Sequence, residues 1–104
     1  MQATFEHAPS TLFVTLVGDL VGGPDAMSFS QSLREAIGGT PDSLKSVNVD
    51  TASVGFVNSS GLGMLLAARQ AAKDAGANLS VLNPPKQLLL LLEVTRLTEI
   101  LGVA

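Results

Sequence analysis

The chain has 104 residues, the size of one domain; at that length roughly two-thirds of the unfolded surface can be buried, enough for one core and not for two. Its nine acidic and six basic side chains are scattered and sum to -3, which argues against the clustered Lys and Arg of a nucleic-acid surface. Cysteine is absent, which excludes disulfides, thiolate metal sites and cysteine nucleophiles and fits a reducing cytoplasm.

In chain order, MQATFEH carries no basic region followed by an apolar run, so no signal peptide is expected there. Residues 2–6 and 11–17 read as two strands joined across His7-Ala8-Pro9-Ser10, because TLFVTLV is dense in residues that suit a pleated, buried surface. Three glycines and a proline between Gly18 and Asp25 break the pattern. Ala26, Phe29, Leu33, Ala36 and Ile37 then recur at helical spacing up to Gly38-Gly39, which predicts a helix over 24–37. SVNV and SVGFV, at 46–49 and 53–57, place apolar residues at alternate positions, with a break expected at Asp50-Thr51-Ala52; together they predict one central strand with an irregular end.

From Ser60 to Ala75 the chain is rich in Leu and Ala, with Leu62, Leu65 and Leu66 on one side and Gln70, Lys73 and Asp74 on the other, and it stops at Gly76: a second helix. ANLSVL, at 77–82, predicts the last strand. Asn83-Pro84-Pro85 is expected to supply a cap and a rigid first turn for a helix to about Thr95, followed by a short turn ending at Leu101. Strands alternating with helices of this length imply right-handed crossovers. The expected fold is a single α/β domain over 1–104, with a mixed, mostly parallel sheet of about four strands and helices packed against it.

In this layout Asn58, Ser59 and Ser60 leave the carboxyl end of the central strand and open a helix, where open α/β sheets place their sites. Capping is the simpler use of such residues, since Asn and Ser accept hydrogen bonds from the free N–H groups of a helix start. One cap needs one residue. Three polar residues followed by Gly61 and Gly63 suggest, alternatively, a surface that another molecule approaches closely. A serine nucleophile would need a base, and the only histidine, His7, sits at the end of the first strand in a surface turn. VNSSG departs from the G-x-S-x-G elbow, and GLG is neither a dinucleotide fingerprint nor a phosphate loop. Asp19 and Asp50 could meet at the strand ends, but two carboxylates without a third ligand fit solvated turns better than a metal site.

From Ser46 to Leu101, and with GDL over nearly the whole chain, the sequence resembles the STAS family, the domain of bacterial anti-sigma-factor antagonists. The residues that carry the likeness are NSSGLG after an apolar strand, where the family has D-S-S-G-L-G, the run AGANLSVLNP, the ending LEVTRL, and GDL after the second strand. The resemblance implies a STAS domain without catalysis, cofactor or metal, acting in the cytoplasm. It implies that Ser59 is phosphorylated by a GHKL-type serine kinase that is also the anti-sigma factor or a related switch protein, that phosphorylation releases this partner, and that a serine phosphatase restores binding. The contact surface it implies comprises Asp19, Asn58, Ser59, Ser60, Gly61, Leu62 and Gly63. Asn58 stands where the family usually has Asp, and Val21 where an acidic residue often follows the leucine, so two carboxylates near Ser59 are missing. The rival reading within the family is a constitutive cytoplasmic STAS subunit of a lipid-transport ATPase.

Leu88 to Leu92 is too short to span a bilayer, so no direct membrane insertion is expected. On one helix five leucines point in all directions, so at least one cannot face the domain's own sheet. Two readings stand for it: a helix wedged between core and C-terminal tail, or a partner or homodimer surface.

Overall fold

The structure, a computed structural model, describes residues 1–39 and 43–103. Strand β1 (Gln2–His7) and strand β2 (Thr11–Leu20) form an antiparallel hairpin, with Gln2 opposite Val17 and His7 opposite Leu12. Helix α1 (Pro24–Gly38) crosses to strand β3 (Ser46–Val57), helix α2 (Ser59–Asp74) to strand β4 (Asn78–Leu82), and helix α3 (Lys86–Val94) follows. The sheet order is β1-β2-β3-β4, with β2, β3 and β4 parallel. This is the expected single α/β domain.

Alternation in β2 decides which way the sheet faces. Leu12, Val14, Leu16 and Leu20 are fully buried, and they meet Phe29 and Leu33 of α1 and Leu65, Ala68 and Ala72 of α2 in one core. The residues between them, Phe13, Thr15, Val17 and Asp19, are exposed, so the helices cover one face of the sheet and leave the other open. α2 ends as its sequence requires. Gly76, at φ 78, lets the Gly76 N–H reach the Lys73 carbonyl and the Ala77 N–H reach the Ala72 carbonyl, which closes the free end of the helix.

Two sequence expectations change at this level. The break at Asp50-Thr51-Ala52 is a bulge inside an unbroken β3: Thr15 pairs Asp50 while Val17 pairs Ser53, so β3 carries one extra residue there. The Asp50 carboxylate accepts the Ala52 N–H at 3.0 Å, and the buried Thr51 hydroxyl donates to the Leu82 carbonyl at 2.9 Å, holding β4 where its ladder with β3 ends. The second change is at Asn83, which does not cap α3. It lies at φ 53 with its amide 3.5 Å from the Asp50 carboxylate, and Pro85 takes the cap position with no side-chain bond. Helix α3 begins only at Lys86, so Asn83 lies two residues ahead of the cap position, and proline there has no side-chain acceptor.

The leucine run divides as its geometry demands. Leu88 and Leu92 are fully buried, Leu89 and Leu91 are half-buried, and Leu90 is 59% exposed. The segment after α3 folds back so that Leu101 is fully buried and Val103 pairs Val81 beside β4. Among the described residues no helix is long and apolar enough to cross a membrane.

Candidate functional site

β3 delivers Asn58 to the open end of the sheet, and the backbone there is anchored twice. The Asn58 N–H donates to the Leu20 carbonyl at 3.2 Å, and the Asn58 carbonyl accepts the Leu62 N–H at 3.0 Å. The Asn58 carboxamide oxygen then accepts the Gly61 N–H at 2.8 Å, which makes Asn58 the N-cap of α2. Ser59 and Ser60 are therefore the first two helical residues, both exposed, and neither hydroxyl is needed for the cap. No acidic side chain occupies the first turn, so the partial positive charge of the helix end is unneutralised beside the two serines.

The two glycines of the motif do different work. Gly61 is buried against the end of β2, and a Cβ there would be driven into the Leu20 carbonyl, so the residue is fixed by packing within the domain. Gly63 has nothing within 4 Å of the position its Cβ would occupy and faces solvent. A glycine inside a helix costs about 1 kcal/mol against alanine. Nothing inside the domain requires it at 63. The β2–α1 loop comes close to Ser60: a Cβ on Gly22 would lie 2.6 Å from that of Ser60.

The structure thus brings Asn58, Ser59, Ser60 and Gly63 to one surface and places Gly61 and Leu62 beneath it, Leu62 in the core. Asp19 lies at the margin. Its carboxylate accepts the Phe56 N–H at 2.9 Å, where the register of β2 and β3 slips a second time between Gly18 and Leu20. Each bulge of β3 is therefore closed by an acidic side chain, Asp50 at the first and Asp19 at the second. The two carboxylates serve separate bulges rather than meeting at one site, and among the described residues no group of three His, Cys, Asp or Glu could hold a metal ion. His7 is at the other end of β2, opposite Leu12, with its Nε2 3.0 Å from the Ala36 carbonyl.

Sequence reasoning missed the apolar border of this surface. Val57, Gln87, Leu90, Leu91 and Val94 line an open groove directly before Asn58, and the exposed Val21 and Phe56 lie on the neighbouring loop and strand. The leucine run was the signal for part of it.

A mixed sheet covered on one face by helices, with a polar helix start at the end of its central parallel strand, defines a small α/β module built to present a loop and a helix end. The chain belongs to the STAS domain family: the family model described as Mlab, STAS domain, matches residues 3–102. Among curated protein sequences none matches it. Solved structures that match include the Bacillus cell fate determinant SpoIIAA in its phosphorylated form, 17% identical, with a TM-score of 0.69 over 99% of this chain and 91% of that one. An anti-sigma factor antagonist from Mycobacterium paratuberculosis is 18% identical, with a TM-score of 0.75 over 98% of this chain and 83% of that one. The murine Solute Carrier 26 family member A9 anion transporter is 16% identical, with a TM-score of 0.76 over 94% of this chain but only 16% of the transporter. At these identities the likeness is one of fold.

Proposed function

We propose that this chain is a cytoplasmic partner-switching module of the anti-sigma-factor-antagonist type. Unphosphorylated, it binds a GHKL-type serine kinase or anti-sigma partner through Ser59 and its surroundings; phosphorylation of Ser59 releases that partner, and a serine phosphatase restores binding. The protein has no catalysis of its own in this reading. The observation that carries it is the division of labour at the start of α2: Asn58 makes the cap, so the exposed Ser59 hydroxyl is free for chemistry.

A phosphate there adds about -1.5 to -2 charges at a helix N-terminus, where the dipole and free N–H groups favour an anion, so the fold survives modification. The open position at Gly63 supports a close-fitting partner, and a new dianion on a fitted surface can cost several kcal/mol of binding.

A second reading, a constitutive STAS subunit of a membrane lipid-transport ATPase, is favoured by the Mlab description of the family model, by the transporter among the matching structures, and by Asn58 in place of Asp. One experiment separates the two. Partners are recovered from native extract and identified by mass spectrometry, with phosphosites mapped on the recovered protein. The switch predicts a GHKL kinase and phosphate on Ser59; an ABC ATPase with no phosphate selects the second reading, and phosphate on Ser60 alone overturns the assignment of Ser59.

A further inference from the structure

The open face of the sheet has a composition of its own. The four strands contain no lysine or arginine, and all six cations of the chain lie outside them. Their three carboxylates, Glu6, Asp19 and Asp50, stand at positions that face away from the helices. The same face exposes Phe13 at 42%, Val17 at 46% and Phe56 at 51%. Register puts these residues together: Glu6 pairs Phe13 across the hairpin, Thr15 between Phe13 and Val17 pairs Asp50, and Val17 pairs Ser53.

Parallel strands are ordinarily covered on both faces by helices, and here β2, β3 and β4 are covered on one. We infer that this face docks a partner helix that carries apolar residues flanked by lysine or arginine. Charge selects that occupant. A second copy stacked face to face would set Glu6, Asp19 and Asp50 against themselves, and an anionic lipid surface would be repelled in the same way. A basic amphipathic helix satisfies both halves of the surface, placing apolar side chains on Phe13, Val17 and Phe56 and cations against the carboxylates. Its length fits too, since the ten residues of β2 run about 33 Å, the span of a helix of about 20 residues. The surface meets the Ser59 end only at Asp19 and Phe56, while Glu6, Phe13, Thr15, Val17 and Asp50 lie further along the strands, so the two can be tested separately.

The probe is a synthetic amphipathic peptide of about 20 residues built from leucine and lysine, compared with a leucine and glutamate peptide of the same pattern. Binding is followed by backbone amide NMR shifts and titration at low and high salt. The Leu/Lys peptide should shift amides around Phe13, Val17 and Phe56, bind about tenfold or more tighter than the Leu/Glu peptide, and weaken with salt. Thr15→Lys, at an exposed strand position, should weaken it about tenfold without moving the unfolding midpoint. Equal affinity for both peptides, shifts confined to the helices, an unaffected Thr15→Lys, or a dimer in sedimentation that buries this face would overturn the inference.

Discussion

Two glycines a single residue apart carry opposite consequences. Alanine at 61 must push against the Leu20 carbonyl, which is backbone and cannot swing aside, so Gly61→Ala should destabilise the domain by about 1–3 kcal/mol. Alanine at 63 meets nothing and removes a flexible residue from a helix, so Gly63→Ala should stabilise it by up to about 1 kcal/mol while weakening a partner that rests on that spot. Urea unfolding of the two variants checks the signs. If both destabilise, Gly63 is also a packing residue and the outward surface drawn here is wrong.

Among the elements, β3 is the one whose behaviour sets the site. It carries an extra residue at two places, and each bulge turns the strand so that Val54 and Val57 remain buried while Phe56 faces out. Thr51 fastens the first of these regions to β4. Thr51→Val keeps the shape and deletes the donor to the Leu82 carbonyl, so a loss of about 1–2 kcal/mol is expected in thermal or urea unfolding. An unchanged midpoint would mean that the carbonyl is satisfied without it.

The strands and helices themselves were legible in the sequence because their signals are local: the density of strand-forming residues in TLFVTLV, alternation at Val47 and Val49, and helical spacing at Phe29 and Leu33 need no knowledge of partners. Ser59 and Ser60 at a helix start were legible for the same reason. The unbroken β3 was not, because Asp50-Thr51-Ala52 looks like a turn until β2 and β4 are placed beside it. What holds Gly61 and Asp19 in place was not legible on similar grounds. One is fixed by a carbonyl and the other by an N–H that approach only when β2 lies beside β3. Asn83 was read from its residue type, and the proline that follows it changes what that type can do.

At the scale of the molecule, polar functions are segregated. Cations sit on the helices and connecting segments, carboxylates of the strands face the open side of the sheet, and the loop with Ser59 lies at the end where β2 and β3 finish. A charge added at Ser59 lies on the exposed start of α2, outside the core although Gly61 and Leu62 lie beneath it, and it can change what binds without changing what folds. That separation is the central claim. Its most direct test is titration of the proposed kinase-type partner with the parent protein and with Ser59→Asp, alongside their unfolding midpoints. Binding should weaken about tenfold or more, equivalent to about 1.4 kcal/mol. The midpoint should hold or rise slightly, because an acidic residue in the first turn of a helix stabilises it by about 0.3–1 kcal/mol. A lower midpoint with unchanged affinity per folded molecule would contradict the account and make Ser59 a structural residue.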